Sequence, residues 1–463
     1  MYLDQDFFKT VVPNALFFGA DMPKNAYFSV DSRLINSGDM YIALRGSRHD
    51  GHDFINDVIK KGASGIIIEQ DKKECLNIID KKILDTLFVA LVPNTLQALV
   101  QLATAWREQF SYPVFAITGS VGKTSTKECL TAILEASGKK YLTSFGNQNT
   151  LIGISLNILK MRPEHEVAIF EMGINKRGEM AHMAALLKPT NALVTMIGHS
   201  HMEGLGSVQD IASEKRDIFK FFKEDSTGIV NGDQPLLANV SYIHPVIKFG
   251  CKTMNQIQAR KVQVNGASLH FVLKIYNNKY KVVLPTSHIG FVYNTLAAVS
   301  AAYLLKISEA IIVETIQKPL YVESRFETCK LRDNKGIVIN DCYNASPESM
   351  KAALLAFEKV ECTGEKMAIL GDMLELGVTW RFWHRQLGRL LRKAPSVRRL
   401  ILVGDHVKFT LKTVPVNIKV EHVPTWQAAT EKLEQALAPD SAILVKGSRG
   451  VGLDNLVNSI KQA

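Results

Sequence analysis

One short segment restricts the possible folds of this chain more than any other. Residues 118–125 read Thr-Gly-Ser-Val-Gly-Lys-Thr-Ser, between the apolar run Val114–Ile117 and a stretch with helical periodicity. Glycines between a strand and a helix let backbone N–H groups surround phosphate oxygens, and the helix N-terminus adds positive potential. In such a loop Lys123 reaches the β- and γ-phosphates of a nucleotide, and Thr124 can bind Mg²⁺. The segment predicts an α/β nucleotide-binding domain whose other loop contacts come from Gly119, Ser120, Gly122 and Ser125.

The start of this loop departs from the general pattern. Ile117 stands where the first glycine of a phosphate loop usually lies. A glycine turn that merely reverses the chain is the alternative interpretation. The order of strand, loop, Gly-Lys-Thr and helix favours the phosphate loop.

Length and composition indicate a multidomain globular protein. A chain of 463 residues with 46% hydrophobic and 22% charged residues is long enough for about three domains. A net charge of +10 suits anionic small molecules as well as nucleic acids or membranes, so charge alone does not decide the partner. No apolar run approaches the roughly 20 residues of a membrane span, and the first ten residues lack a basic secretory start. The six cysteines form no C-x-x-C pair, so we expect a cytoplasmic protein without a disulfide framework or a zinc site.

The alternation of strands and helices predicts three α/β domains. Residues 1–110 mix short apolar strands with helical patterns, residues 111–320 continue from the glycine loop as a mostly parallel βαβ series, and residues 321–463 form a doubly wound, Rossmann-like third domain. Within the middle domain, Leu269–Leu284 has the pattern of a hairpin. The predicted fold class is therefore α/β in three domains.

Two polar residues follow strands of the predicted middle domain. Glu171 ends the run Val167–Glu171, and His201 lies in a polar cluster after the next strand. Ligands of a doubly wound sheet collect at the carboxyl ends of its strands, so we expect both residues near the glycine loop. Oxygen ligands from Thr124 and Glu171 suit Mg²⁺, whereas a histidine is a less usual ligand for this ion. A cap or a surface residue is the more ordinary role for either side chain alone.

A series of longer strings makes a family resemblance specific. TGSVGKTSTKE (118–128) is followed by NQNTLIG (147–153), EMG (171–173), GEM (178–180), HSHMEGLGS (199–207) and IASEKRDIF (211–219). The first domain carries VDSRLINSGDMYIALRG (30–46) and DGHDF (50–54), and the third carries DCYNASPESM (341–350), GDMLELG (371–377) and VKGSR (445–449). In order and spacing these strings resemble the Mur ligase family over nearly the whole chain.

The resemblance implies an activity, cofactors and partners. It implies an ATP-dependent amide ligase of cell-wall precursor synthesis, which activates a carboxylate as an acyl phosphate before an amine attacks it. The implied substrates are UDP-N-acetylmuramoyl-tripeptide and D-alanyl-D-alanine, with two Mg²⁺ ions, no nucleic acid and a monomeric enzyme.

The resemblance also implies roles for individual residues. Lys123, Thr124, Asn294, Arg325 and Asp341 would hold the nucleotide, with Thr124 and Glu171 on one Mg²⁺ and His201 on a second. The uridine part would contact Ser32, Arg33, Arg45, Gly46, Asp50 and His52, and the sugar-peptide Asn147 and Asn149. The dipeptide carboxylate would be received by Lys446, Ser448 and Arg449.

Two positions depart from the family pattern, and alternatives within and outside it remain. Thr150 stands where a further asparagine is usual, and Gly290 where the family has a histidine four residues before Asn294.

The ligase that adds a diamino acid as the third peptide residue usually carries Asp-Asn-Pro-Arg, which is absent here, and folylpolyglutamate synthase lacks a UDP-binding first domain. A nucleotide-driven switch or scaffold is the alternative of a different class. The motifs in all three domains argue against it.

Lys215 lies in a helix predicted to begin at the Ser207 and Asp210 cap. Periodicity alone makes it a solvated lysine, whereas the family resemblance implies that CO₂ converts it to a carbamate that binds the second Mg²⁺ beside His201.

The segment Trp380–Arg399 carries eight basic residues, counting His384, and two tryptophans. Contact with an anionic membrane is one interpretation of this composition. The stripe of Trp383, Leu387, Leu390 and Leu391 favours instead a helix packed on a sheet, with a solvated opposite face.

Overall fold

The computed structural model describes residues 2–462, and it has three β-sheets in chain order, each flanked by helices. The predicted α/β class in three parts is confirmed. No helix within residues 2–462 is long and apolar enough to cross a membrane. The six cysteines are free thiols, of which Cys129 and Cys342 are buried.

The first sheet is small and mostly parallel. Its strands run in the order β1-β5-β4-β3-β2, and only β1 is antiparallel to its neighbour. Strands β4 and β5 are buried along their whole length, which explains why they are continuous apolar runs rather than alternating ones. The elements are α1 Gln5–Val11, β1 Leu16–Gly19, β2 Phe28–Ser29, β3 Met40–Ile42, α2 Ile55–Lys60, β4 Gly65–Glu69, α3 Lys81–Leu84, β5 Phe88–Val92 and α4 Thr95–Arg107.

The second sheet has nine strands and changes from parallel to antiparallel along its width. Its order is β14-β13-β12-β11-β10-β9-β6-β8-β7, and β12, β13 and β14 pair antiparallel, which confirms the predicted hairpin. The strands are β6 Val114–Thr118, β7 Tyr141–Thr143, β8 Val167–Glu171, β9 Asn191–Val194, β10 Thr227–Asn231, β11 Val246–Gly250, β12 Ile257–Asn265, β13 Ser268–Ile275 and β14 Asn278–Leu284. The helices are α5 Lys123–Ala136, α6 Leu151–Ile158, α7 Glu179–Leu187, α8 Met202–Leu205, α9 Val208–Arg216, α10 Pro235–Ala238, α11 Gly290–Leu304 and α12 Glu309–Ile316.

The third sheet is a parallel sheet with one antiparallel edge. Its order is β15-β16-β20-β17-β18-β19, and β15 is the antiparallel strand. Apolar clusters cover both of its faces, as in a doubly wound fold. The elements are β15 Glu327–Lys330, β16 Gly336–Asn340, α13 Pro347–Glu358, β17 Lys366–Gly371, α14 Trp380–Leu390, β18 Val397–Val403, β19 Lys419–Val423, α15 Trp426–Ala436, β20 Ser441–Lys446 and α16 Leu453–Ile460.

The chain packs as two compact units. The first comprises residues 1–115, 140–173 and 179–190, and the second comprises residues 116–139, 174–178 and 191–463. The domain boundaries at residues 110 and 320 stay a prediction from the sequence.

Candidate active site

The glycine loop folds as its sequence predicts. It connects β6 to α5, and Gly122 is the residue before the helix, with a left-handed φ of 91°. The Lys123 Nζ donates to the Gly119 carbonyl at 3.0 Å, so the ammonium lies over the loop. The Ser120 N–H donates to the Met196 carbonyl at 2.6 Å, which fixes the loop against the residues after β9. The loop is therefore held in shape before a phosphate arrives.

A substitution at Gly122 is expected to damage nucleotide binding. Its backbone is left-handed, and a Cβ there would lie 2.3 Å from Asn294 Oδ1, so Gly122→Ala strains the loop and displaces the predicted adenine contact. We expect the Kd for ATP, measured by titration calorimetry, to rise at least about tenfold. Gly138→Ala is the matched control, because Gly138 is also left-handed, at φ 73°, but has open space around its Cβ position. An unchanged Kd in folded Gly122→Ala would remove the phosphate-loop assignment.

Five of the predicted nucleotide residues line one pocket of the second unit. Its volume is about 90 Å³, and Phe291, Arg325 and Phe326 also line an adjoining, mainly apolar cavity of about 840 Å³. One Arg325 Nη donates to Thr124 Oγ1 at 3.4 Å. The predicted residues that line the smaller pocket are Gly122, Ser125, Asn294, Arg325, Asp341 and Lys446.

Two aromatic side chains of this pocket lie close in the chain to Gly290, which stands where the family usually has a histidine. His288 and Phe291 line the pocket, and the His288 ring lies 5.6 Å from the Phe291 ring and 5.0 Å from the Phe326 ring. Burial lowers the pKa of His288, so its imidazole is neutral near pH 7. A side chain at position 290 would meet this ring, since a Cβ there lies 2.7 Å from His288 Cε1. Gly290 therefore leaves the space that His288 occupies.

A buried ion pair forms the floor of the pocket. Lys446 Nζ lies 2.7 Å from Asp341 Oδ2 and donates to the Asn344 carbonyl at 2.9 Å. Of the residues predicted to receive a dipeptide carboxylate, Lys446 and Ser448 are buried, and Ser448 Oγ accepts from the Leu374 N–H. Arg449 is exposed, with its guanidinium 5.7 Å from the Tyr343 ring. Arg449 is thus the one of these three that faces solvent.

Two histidines of the His199–Ser207 string pair with glutamates from the third-sheet region. His199 Nδ1 lies 2.6 Å from Glu348 Oε1, and the His199 N–H also donates to this carboxylate. His201 Nδ1 lies 2.6 Å from Glu375 Oε2, an ion-pair distance at an angle outside hydrogen-bond geometry. The His201 side chain lowers the pKa of Glu375.

The backbone at the second pair is strained on both sides. His201 has φ 59° and Glu375 has φ 62°, left-handed values that cost a non-glycine residue of order 1–3 kcal/mol each. Strain of this kind concentrates at functional sites.

Lys215 is buried, in contrast to what periodicity alone predicts. Its side chain is 1% exposed, on α9, whose capping box of Ser207 and Asp210 forms as the sequence predicts. An ordinary surface lysine keeps its ammonium in water. The burial of Lys215 is consistent with a role inside the protein, and its carbamate stays a prediction.

In the first unit, the asparagine motif holds the glutamate predicted to bind Mg²⁺. Asn149 Nδ2 donates to Glu171 Oε1 at 3.0 Å and to Asn147 Oδ1 at 2.9 Å. Glu171 is 2% exposed at the end of β8. Thr150, which departs from the family pattern, caps α6 with its side chain. Because Glu171 and the phosphate loop belong to different units, their convergence stays a prediction.

The six predicted uridine contacts do not share one pocket. Ser32 and Arg33 line a pocket of about 400 Å³, and Arg45 lines another of about 340 Å³, where it pairs with Glu69 and Asp71. Gly46 lies in the turn that follows Arg45, where its N–H donates to the His49 carbonyl.

His52 is buried with both ring nitrogens engaged. Its Nδ1 lies 2.6 Å from Asp50 Oδ1, and its Nε2 accepts from the Glu69 N–H. Burial alone would raise the pKa of Asp50, but hydrogen bonds from His52 and Lys72 lower it. His52 therefore positions Asp50 within the protein.

The side chains predicted to bind Mg²⁺ supply few ligands of their own. Within residues 2–462, no three His, Cys, Asp or Glu side chains are grouped so that they could hold a metal. Mg²⁺ in nucleotide enzymes usually takes only one or two protein oxygens, and its other ligands are waters and phosphate oxygens. The Thr124 hydroxyl and the buried Glu171 carboxylate are donors of that kind. As donor types, both suit an ion that is bound together with a nucleotide.

Several pocket residues were missed by sequence reasoning. They are His288, Phe291, Tyr293, Glu348 and Ser349. The string DCYNASPESM contains the last two, so the resemblance carried a signal for them. His288 and Phe291 lie on either side of Gly290. The glycine in place of the usual family histidine was the only feature of the sequence that pointed to them.

Comparisons with known proteins identify the family. Family models match residues 27–106 (Mur ligase family, catalytic domain), 117–302 (Mur ligase middle domain) and 324–449 (Mur ligase, glutamate ligase domain). The UDP-N-acetylmuramoyl-tripeptide–D-alanyl-D-alanine ligase of Bacillus subtilis is 32% identical over 93% of this chain and 92% of its own length. The Escherichia coli protein of that name is 30% identical over 98% and 97%. The crystal structure of MurF from Acinetobacter baumannii, 26% identical, superimposes with a TM-score of 0.83 over 99% of this chain and 98% of its own. Because family models match three successive parts of it and relatives at least 30% identical cover more than nine-tenths of its length, this chain belongs to the Mur ligase family.

Proposed function

We propose that this protein joins D-alanyl-D-alanine to the terminal carboxylate of UDP-N-acetylmuramoyl-tripeptide, with ATP converted to ADP and phosphate. The observation that carries the proposal is the single pocket that gathers Gly122, Asn294, Arg325 and Asp341 beside a pre-shaped phosphate loop. Relatives that carry this substrate pair in their names match more than nine-tenths of the chain. These proposed substrates would place the enzyme in the cytoplasm.

The chemistry follows from the weakness of a carboxylate as an electrophile. A carboxylate oxygen of the tripeptide attacks the γ-phosphorus of ATP, ADP leaves, and a mixed acyl phosphate forms. The dipeptide amine then attacks the acyl carbon, loses a proton, and inorganic phosphate departs with the oxygen that came from the carboxylate. Lys123 neutralises charge on the phosphoryl group during the first step. Most of the rate enhancement would come from positioning.

The metal ions would be held by residues already described. Thr124 and Glu171 would hold one Mg²⁺, and His201 with the carbamate of Lys215 would hold a second. Bound Mg²⁺ supplies positive charge that offsets the charge of the phosphates. Glu375 orients His201, and Asn149 orients Glu171 through its hydrogen bond.

The nucleotide and the two peptides would occupy different parts of the chain. Asn294 would contact adenine, with the His288 and Phe291 rings as the adjoining wall. Arg449 would receive the dipeptide carboxylate, while Lys446 holds Asp341 in place. Residues 1–110 would bind the uridine nucleotide, with Arg33 and Arg45 among its contacts. A guanidinium binds phosphate through paired hydrogen bonds.

The proposal is tested by the substrate dependence of ADP formation. ADP is measured with ATP and a set of UDP-muramoyl-tripeptides that differ in the third residue, each with and without D-alanyl-D-alanine. Sustained ADP production that requires both peptide substrates, together with a product of the expected mass, supports the ligase. ATP hydrolysis that neither substrate affects would support a nucleotide-driven switch instead.

The acyl phosphate is expected to form before the dipeptide binds. With ATP and the tripeptide substrate alone, hydroxylamine should intercept the activated carboxylate and give a hydroxamate, detected by mass spectrometry. Omission of ATP is the control, because an unactivated carboxylate does not react. If an active preparation never yields hydroxamate above this control, the acyl-phosphate route is wrong.

A further inference from the structure

The net charge of this protein is concentrated in one short part of the chain. Residues 378–420 contain ten lysines and arginines and one acidic residue, Asp405, whereas the whole chain has a formal net charge of +10. The rest of the chain is therefore close to neutral. None of these ten basic residues is assigned to the nucleotide, the metals or the peptides.

The structure gathers most of this charge on one face. Helix α14 packs beside the 3₁₀ turn Val407–Lys412. The Arg381 guanidinium lies 5.7 Å from the Phe409 ring and the Lys412 ammonium 5.4 Å from the same ring, so the two segments share a surface. We call this the basic surface, and its exposed cations are Arg381, Arg385, Arg389, Arg392, Lys393, Lys408 and Lys412.

Large apolar side chains are exposed in these segments and close to them along the chain. Phe382 of α14 is 52% exposed and Leu411 of the 3₁₀ turn is 45% exposed. Val378, two residues before α14, is 98% exposed, and Val416, four residues after the turn, is fully exposed. The apolar side of α14 packs inside the protein, because Leu387 and the following Leu391 belong to the core of the third sheet. The sequence-based prediction of a helix packed on a sheet is confirmed. A helix face that only contacts water is expected to be polar, whereas here aromatic and aliphatic side chains are exposed among the arginines.

One residue of the segment does not join this surface. His384 is buried, where its Nε2 accepts from the Met373 N–H and its Nδ1 lies 2.7 Å from the Trp380 carbonyl. It links α14 to the loop after β17. Variants of the exposed cations can therefore leave this packing intact.

We propose that the basic surface binds an anionic lipid bilayer. Cations alone would suit any polyanion, but a nucleic acid backbone offers nothing to exposed valine, leucine and phenylalanine side chains. A bilayer interface accepts both groups, because anionic headgroups attract Arg and Lys while apolar side chains enter the boundary with the acyl chains. The surface lies outside the assigned catalytic residues, so the ligase can work in solution and at a membrane.

The test uses the full chain and vesicles in a sedimentation assay. Vesicles of phosphatidylcholine alone are compared with vesicles that also contain phosphatidylglycerol. The variant Arg385→Gln, Arg389→Gln, Arg392→Gln, Lys393→Gln removes four charges from the basic surface with residues that favour a helix. The matched control makes the same change at four exposed lysines elsewhere, Lys81, Lys82, Lys279 and Lys281. Phe382→Ser tests the apolar contribution.

We expect binding only to the anionic vesicles, a loss of at least about tenfold in the four-charge variant, and little change in the control. We expect Phe382→Ser to weaken vesicle binding several-fold, with ligation in solution unchanged in every variant. Absence of vesicle binding, or equal losses in both four-charge variants, would overturn the proposal. Equal affinity for a DNA duplex, with no effect of Phe382→Ser on vesicle binding, would also overturn it and indicate a general polyanion surface. Vesicle binding tests the membrane proposal and ligation tests the proposed function. Because the two are measured in separate assays, failure of one proposal does not decide the other.

Discussion

Replacement of Lys123 by alanine should abolish measurable ligation while the protein stays folded. Lys123 is the first residue of α5, and its Nζ lies over the loop through its hydrogen bond to the Gly119 carbonyl. In the proposed reaction this ammonium meets the transferring phosphoryl group, where charge changes most. Loss of one such stabilising group typically lowers kcat about 10²–10³-fold. We expect at least this loss, measured as ADP and product formed with saturating substrates.

The control for this variant is Lys351→Ala, which removes an exposed lysine from α13 in the same unit. It should ligate normally. Thermal unfolding separates catalysis from folding, because Lys123→Ala should melt within a few degrees of the unmodified protein. Near-normal turnover of Lys123→Ala would contradict the phosphate-loop assignment.

Lys215→Ala should lose most of the ligase activity, and a small carboxylic acid should restore part of it. Lys215 is buried on α9, and as a carbamate its side chain would present two oxygens, the ligand type that Mg²⁺ prefers. We expect a loss of about a hundredfold or more, similar to the loss of other charge-stabilising groups. Rescue by acetate, which can replace the missing oxygens, distinguishes a metal-binding role from a packing role. Lys215→Met, of similar volume, controls for the cavity that alanine leaves.

Two further observations bear on the carbamate itself. Activity should fall when bicarbonate and CO₂ are removed and should return when they are added back. A crystal of active enzyme should show three extra atoms beyond Lys215 Nζ. Full activity of Lys215→Ala, or a plain ammonium in an active crystal form, would end the carbamate proposal and leave the ligase proposal standing.

Local sequence patterns predict a strand well when both of its faces are buried, because almost every residue in it is then apolar. Strands such as β4, β5 and β8 are buried on both faces and are continuous apolar runs, and the cap of α9 is a recognisable Ser-x-x-Asp motif. The edge strands β15 and β19 carry no such pattern. Their residues are half-exposed and include charged groups, so they lack the apolar signature of a buried strand.

The site was predictable where chemistry lies within a short motif, and less so where it depends on tertiary contacts. The phosphate loop was identified from eight consecutive residues. The pairing of His199 with Glu348 joins positions 149 residues apart, which no local pattern specifies. The buried state of Lys215 has the same origin, because periodicity describes one helix and not the neighbours that cover it. His52 is a case in which a motif match did not reveal the local contacts. The match implied a uridine contact, whereas in the structure both ring nitrogens of His52 contact other groups of the protein.

Transfer of a carboxylate oxygen to phosphate tests the central claim most directly. The tripeptide substrate is prepared with ¹⁸O at both oxygens of its terminal carboxylate and converted with ATP and D-alanyl-D-alanine. If the reaction passes through an acyl phosphate, each turnover leaves one carboxylate oxygen in the new amide and transfers the other to inorganic phosphate. Mass spectrometry should therefore find one ¹⁸O in the released phosphate for each amide bond formed. Phosphate without label, released while the amide product accumulates, would contradict the account.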